Sequence, residues 1–253
     1  MTRVLITAGA AGLGRAMAEG CLARGDRVAV CDVDASAVEA FRTDHPQALA
    51  EVVDVTDESA MTAFLGRVEE TFGGVDLVCA NAGTGGQAGR IETLDLDAWR
   101  ACLDVNLTGA FLTCRWAARV MRAQGDGLIV LTSSTAGLHG YPLRAPYASA
   151  KWAIVGLTKT LAMELGPAGV RVNAICPGAV EGDRMDRVVA MESAASGLSP
   201  EEVRALYVRG VSLRSWVTAE DVAETVFWLS SPAARKISGQ ILAIDGHTET
   251  LSP

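Results

Sequence analysis

Short apolar runs alternate with longer amphipathic stretches from one end of the chain to the other. RVLIT (3–7), RVAVCD (27–32), LAEVVDV (49–55), VDLVCAN (75–81), GLIVLTS (127–133), VRVNAIC (170–176) and QILAID (240–245) predict strands. Segments near 12–24, 36–45, 57–72, 97–124, 146–165 and 219–229 carry apolar residues at helical spacing. Strands that are apolar at successive positions are buried on both faces, and helices between them allow a parallel arrangement. With right-handed crossovers, this pattern predicts an α/β fold: a doubly wound parallel sheet of about seven strands with helices on both faces. No linker, low-complexity tract or internal repeat interrupts it, so residues 1–253 are expected to form a single domain. The segment at about 178–215 breaks the rhythm; it is rich in Met, Arg, Ser and Gly, and SGLSPEE (196–202) reads as a helix start. An insertion there, over the C-terminal edge of the sheet, would make a substrate lid.

Composition narrows the function. Of the 253 residues, 49% are hydrophobic and 21% charged, as in a globular protein, and the net charge of −8 argues against nucleic acid or an anionic membrane as partner. The chain runs from Met1 straight into RVLIT, so no signal peptide is expected, and no apolar run approaches the ~18–20 residues that span a bilayer. Cysteines 21, 31, 79, 102, 114 and 176 form no C-x-x-C pair and lie in apolar segments. They are expected to be buried, reduced thiols of a cytoplasmic protein. The three histidines form no ligand cluster, so no metal is expected.

Candidate chemistry begins at LITAGAAGLGRAMAEG (5–20), between the first strand and first helix. Gly9, Gly12 and Gly14 allow a tight turn and close helix packing, so that helix N–H groups face a pyrophosphate. Asp32 ends the second strand, where an acid accepts hydrogen bonds from an adenosine ribose; Asp34 is an alternative. A negative charge there disfavours the 2′-phosphate of NADP, so NAD is the expected cofactor; Arg15, directly after Gly14, is the counter-argument. Tyr147 and Lys151 stand four apart at the start of a helix-patterned run, on one face of one turn. A free phenol, titrating near ~10, is a poor base at neutral pH. A neighbouring ammonium and a cationic nicotinamide ring favour the phenolate.

Along nearly its whole length the chain resembles the short-chain dehydrogenase/reductases in their compact single-domain form. The family's Thr-Gly-x-x-x-Gly-x-Gly reads here Thr7-Ala8-Gly9-Ala10-Ala11-Gly12-Leu13-Gly14, with Ala8 in place of the first glycine. VVDVTD contains Asp54, NAG spans 81–83, and Asn106 stands in DVNLTGAF. Ser134 precedes Tyr147 by thirteen residues, and Pro177-Gly178 follows the sixth strand. The resemblance implies a Rossmann-type sheet and an NAD-dependent oxidoreductase acting on a secondary alcohol or ketone. In that pattern Asn106, Ser134, Tyr147 and Lys151 are catalytic. Tyr147 is the general acid/base, Ser134 binds the substrate oxygen (Ser133 is its rival), Lys151 also binds the nicotinamide ribose, and Asn106 holds a helix kink and a water that relays the proton. It further implies cofactor contacts from Gly9, Gly12, Leu13, Gly14, Asp32, Val33, Asp54, Val55, Asn81, Ala82, Gly83, Tyr147, Lys151, Pro177 and Gly178. The threonine that often follows Pro-Gly near the nicotinamide amide is Gly182 here. Relatives commonly form homotetramers through helices near 97–124 and 146–165. An NADPH-dependent ketone reductase, including the 3-oxoacyl type, and a non-catalytic dinucleotide sensor are the alternatives.

The substrate expectation rests on residues around this constellation. His139, Tyr141 and Arg144 lie between Ser134 and Tyr147, and Arg184 and Arg187 lie in the lid segment. Polar and cationic groups on the approach suit a small hydroxylated or anionic substrate, which arginine binds through two parallel hydrogen bonds. The competing reading pairs these arginines with Glu181, Asp183 and Asp186.

Overall fold

The computed structural model describes residues 1–249, leaving aside the side chains at 183, 184, 191, 192, 195 and 196. Seven strands form one sheet: β1 (Arg3–Thr7), β2 (Arg27–Asp32), β3 (Leu49–Val52), β4 (Leu77–Ala80), β5 (Gly127–Thr132), β6 (Val170–Pro177) and β7 (Ile241–Ile244). Their order is β3-β2-β1-β4-β5-β6-β7, and every neighbouring pair is parallel. Successive side chains on a strand point to opposite faces, and the apolar runs fill two cores accordingly. Val4 and Ile6 enter one core while Leu5 enters the other; Val28 and Val30 part from Ala29 and Cys31, and Leu128 and Val130 from Ile129 and Leu131, in the same way.

Helices α1 (Gly12–Ala23), α2 (Ala35–Asp44), α3 (Glu58–Phe72), α4 (Leu96–Leu103), α5 (Gly109–Gln124) and α6 (Ala145–Leu165) follow in chain order. The segment at about 178–215, expected as a lid, holds α7 (Asp183–Ser196) and α8 (Pro200–Arg209), and α9 (Ala219–Ser230) precedes β7. Met17, Phe41 and Phe227, from α1, α2 and α9, fill one core; Phe64 and Met121, from α3 and α5, and Ile154 from α6 fill the other.

Element boundaries differ from the sequence expectation where side chains replace strand partners. The third strand stops at Val52 because Asp54 turns the chain, its carboxylate accepting from Thr56 N–H at 2.9 Å and Thr56 Oγ1 at 2.8 Å. The fourth begins at Leu77 because the Gln124 amide pairs with both the N–H and the carbonyl of Val75, at 2.9 and 2.7 Å. The helix expected over 97–124 is broken by a wide π-turn at Asp104–Thr108. There Asn106 Nδ2 donates to the Cys102 carbonyl at 2.9 Å, taking an acceptor that regular helix would use. In the lid segment, Ser199 and Glu202 form the reciprocal cap read from SGLSPEE. Its two ends meet, Val217 N–H donating to the Ala179 carbonyl at 2.9 Å and Glu181 N–H to the Val217 carbonyl at 2.8 Å.

Candidate active site

The C-terminal ends of β1, β4 and β5 are laced together by polar residues that terminate apolar strands. The buried Thr7 hydroxyl accepts from the N–H groups of Asn81 and Ala82, both at 3.0 Å. Asn81 Nδ2 donates to the carbonyls of Thr7 and Ala8, at 3.2 and 3.3 Å, and Asn81 Oδ1 accepts from Thr132 Oγ1 at 3.1 Å. Thr7 and Thr132 were not singled out as site residues from the sequence; the signal that finds them is a hydroxyl closing an apolar strand at the edge where ligands bind.

Each glycine of the first turn has its own role. A Cβ on Gly9 would stand 2.7 Å from Val30 Cβ, and one on Gly14 would stand 1.9 Å from the Ala8 carbonyl oxygen. Gly12 turns the chain at a φ of +51°, with open space where its Cβ would be. Ala8 itself is left-handed, at a φ of 49°. Leu13 packs into the core beside them. Helix α1 has no side-chain cap and no acid in its first turn, so its leading N–H groups meet no competing protein anion. Such a bare cradle fits a pyrophosphate.

Around the cradle, Asp32 Oδ2 accepts from Ala10 N–H at 3.3 Å and Oδ1 from Asp34 N–H at 3.2 Å. Asp34, the alternative acid, caps α2 by accepting from Ser36 and Ala37 N–H. Val33 is 69% exposed beside Asp32. Arg15 is engaged by Glu19 at 2.7 Å and Asp44 at 2.5 Å. Asp54 is exposed and Val55 buried, the latter where a Cβ on Gly109 would come within 2.7 Å of it. Gly178 N–H donates to the Ile244 carbonyl at 3.0 Å, placing Pro177-Gly178 at the end of the β6–β7 pair. Gly182, at a φ of +134°, has open space around it.

The second half of the site converges on Lys151, which is 3% exposed. Its Nζ donates to the Thr132 carbonyl at 2.9 Å and lies 5.6 Å from the centre of the Tyr147 ring. A Cβ on Gly83 would fall 2.9 Å from Asn106 Oδ1 and 3.2 Å from Lys151 Nζ, so the three residues border one small space. Asn106 is 1% exposed; its Nδ2 donates to the Thr84 and Cys102 carbonyls, both at 2.9 Å, while its buried Oδ1 has no hydrogen-bond partner. A buried orphan acceptor beside an ammonium fits a bound water. Burial pushes the Cys102 thiol up, so it remains neutral beside this amide.

Ser133 and Ser134 separate clearly. Ser133 is 2% exposed and donates to the Lys151 carbonyl at 2.8 Å, pinning α6 to the end of β5. Ser134 is half-buried, and its Oγ accepts from Ala136 N–H at 3.2 Å. Of the substrate candidates, Arg144 stands with its guanidinium carbon 5.6 Å from the Tyr147 ring centre and 5.7 Å from that of Tyr141. The His139 carbonyl accepts from Trp152 Nε1 at 3.4 Å. Arg187 is exposed, and the Arg184 side chain lies outside the described residues. Asp186 pairs with Arg204. Among the described residues, no group of three or more His, Cys, Asp or Glu could hold a metal ion, and no helix is long and apolar enough to cross a membrane.

A family model described as enoyl-(acyl carrier protein) reductase matches residues 8–247. Cis-4-hydroxycyclohexanecarboxylate dehydrogenase of Sinomonas cyclohexanicum is 35% identical over 245 residues, covering 96% of this chain and 94% of that protein. NAD⁺-bound xylitol dehydrogenase matches with a TM-score of 0.89 at 29% identity, over 96% of this chain and 97% of that one. A variant of actinorhodin polyketide ketoreductase with NADPH matches with a TM-score of 0.91 at 30% identity, over 97% of this chain and 96% of that one.

Proposed function

The chain belongs to the short-chain dehydrogenase/reductase family and is an oxidoreductase, and from that premise we propose that it is an NAD-dependent dehydrogenase of small hydroxylated substrates with Tyr147 as general acid/base. The observation that carries this reading is the Tyr147–Lys151–Asn106–Gly83 cluster: a buried ammonium beside a phenol ring and an orphan amide oxygen. The glycines at 9, 12 and 14, with Leu13, hold the pyrophosphate. Asp32 and Val33 meet the adenosine ribose, and Asp54 and Val55 the adenine. Asn81, Ala82 and Gly83 form the floor, with Pro177-Gly178 and Lys151 at the nicotinamide end.

The bound cofactor supplies hydride acceptance or donation at nicotinamide C4. The protein supplies position and a proton route. Ser134 orients the carbinol oxygen, and Tyr147 takes its proton in oxidation or returns it in reduction. Lys151 favours the phenolate through its charge. Asn106 Oδ1 holds the water that carries the proton onward. Residues 1–253 act as one domain, with 178–215 as its lid. The protein works as a homotetramer through the helices on which Phe111, Trp152 and Met163 are 45%, 49% and 80% exposed.

A hydroxylated, anion-bearing substrate accords with the carboxylate in the name of the Sinomonas relative. The NADPH ketoreductase alternative draws on the polyketide relative, but it would need a cation free to meet the 2′-phosphate, and Arg15 is engaged elsewhere. The test is a scan of secondary alcohols with NAD⁺ at alkaline pH, in wild type and Tyr147→Phe. The variant should lose about 10²–10⁴ in turnover while binding NADH normally by calorimetry. Wild-type turnover in Tyr147→Phe would overturn the mechanism. NADH binding without turnover of any alcohol would mark a sensor.

A further inference from the structure

Arg144 immediately precedes α6 and is set between two segments of the site. Leu143 before it is left-handed, at a φ of 63°, and its carbonyl accepts from Gly89 N–H at 2.9 Å. The Arg144 guanidinium donates through one Nη to the Gly85 carbonyl at 3.1 Å. Its Nε is buried and has no hydrogen-bond partner, and among the described residues no carboxylate forms an ion pair with it. Asp186, one of the three acids in the competing reading, pairs with Arg204. A partly desolvated cation with an orphan donor is costly unless an anion completes it. This cation stands against the ring of the residue assigned as acid/base, 5.6 Å from its centre.

We propose that Arg144 is a specificity-determining residue that grips an oxyanion, carboxylate or sulfonate, on a short hydroxylated substrate. This rests on the hydride-transfer reading above. The guanidinium fork takes the oxyanion through two parallel hydrogen bonds. Because the fork flanks Tyr147, an anion only a few bonds from the carbinol carbon brings that carbon's hydroxyl to the phenol, so recognition and orientation come from one contact. Longer acyl chains, with no oxyanion near the carbinol, leave the fork unpaired and are disfavoured.

The test separates binding from turnover. Hydroxy acids of increasing length, their methyl esters and the matching hydroxysulfonates are titrated into the enzyme–NADH complex by calorimetry. The same compounds are then assayed with NAD⁺, each in wild type, Arg144→Met and Arg144→Lys. Wild type should bind at least one acid or sulfonate more tightly than its neutral counterpart. Arg144→Met should weaken that binding by roughly 10–100-fold, the loss of a charge-assisted pair of hydrogen bonds. Arg144→Lys, which keeps the charge but not the fork, should fall between. Whether carboxylate or sulfonate binds better identifies the oxyanion. Equal binding of acids and esters in wild type, no binding of any anion, or an acid preference that survives in Arg144→Met overturns the assignment. An equal loss on acids and esters in Arg144→Met makes it a scaffold residue and also overturns it. Arg144-dependent binding without turnover of any compound would instead remove the hydride-transfer reading and leave the anion site standing.

Discussion

Cofactor choice turns on Asp32 and its surroundings. Its carboxylate is held at the cradle by two long backbone hydrogen bonds, 3.3 Å from Ala10 N and 3.2 Å from Asp34 N, which leaves it acceptor capacity for ribose hydroxyls. A phosphate monoester at the 2′ position would bring about −1.5 to −2 charges to the same place. At about 4 Å and an effective dielectric of about 20, each unit of charge costs about 4 kcal/mol. Asp32 is half-buried, so solvent and salt reduce the sum to about 2–3 kcal/mol, or roughly 10² in kcat/KM. Arg15 could offset this only by leaving Glu19 and Asp44, which hold it at 2.7 and 2.5 Å. Wild type should therefore favour NAD⁺ over NADP⁺ by roughly 10² in kcat/KM. Asp32→Asn should bring that ratio to within about tenfold, since it removes the repulsion and also a ribose acceptor. Adding Asp44→Ser, which removes one of the two carboxylates that hold Arg15, should raise NADP⁺ use further. Steady-state kinetics with both cofactors decide it: a wild type that prefers NADP⁺, or an Asp32→Asn variant with an unchanged ratio, would refute the argument.

Three further outcomes are expected. Lys151→Ala should weaken NADH binding in calorimetry and displace the pH–rate profile of oxidation to higher pH, because the phenolate loses its nearest cation; an unmoved profile would remove the electrostatic role. Gly14→Ala should cost about 3 kcal/mol or more in urea unfolding, since its methyl would meet the Ala8 carbonyl oxygen at 1.9 Å, whereas Gly12→Ala, strained only by its φ of +51°, should cost about 1–2 kcal/mol. Equal losses in the two would show that the close approach is relieved by local movement. Burial raises the Asp76 carboxyl, but hydrogen bonds from the Arg3 guanidinium and backbone N–H outweigh it and hold the group below its ordinary value. Its stabilisation is therefore present above the unfolded value of about 4 and lost as pH falls through the folded one, so Asp76→Asn should lower the urea midpoint at pH 7 and differ little from wild type near pH 2.

The sheet was legible because strands buried on both faces must be apolar through their middles, and residues 4–6, 28–31 and 128–131 of β1, β2 and β5 satisfy that rule position by position. Less legible were the places where a side chain acts as backbone. Gln124 stands in as the partner of Val75, and the Asn106 amide takes the Cys102 carbonyl and opens a helix that periodicity reads as continuous. Periodicity counts side chains by polarity and cannot register an amide that replaces a peptide group. The two serines pose a related problem. Ser133 and Ser134 are chemically alike, and their difference lies in the pleat, which sends one hydroxyl into α6 and leaves the other half-buried at the site. Asp32 and Asp34 were separable only once Asp34 was found capping α2. For Arg144, the sequence supplied the residue and its neighbourhood; the orphaned Nε that sharpens its reading is a property of burial alone.

Ala8 shows how a departure from the family's glycine is absorbed without loss of the cradle. A left-handed alanine costs about 1–2 kcal/mol relative to ordinary backbone, and nothing in its own side chain compensates. The compensation comes from its carbonyl, which accepts from Asn81 Nδ2 at 3.3 Å and lies in the gap left by the missing Gly14 side chain. The same Asn81 amide also bonds the Thr7 carbonyl and the Thr132 hydroxyl, and Thr132 offers its carbonyl to Lys151 Nζ. A continuous set of hydrogen bonds thus links the glycine-rich turn to the ammonium beside Tyr147. Pulling Ala8 out of its strained conformation would loosen Asn81, and loosening Asn81 would release Thr132 from the other side. Both ends of the proposed dinucleotide site therefore fall on one hydrogen-bonded edge of the sheet, an arrangement by which a site with few charged groups would hold a long ligand in a single register.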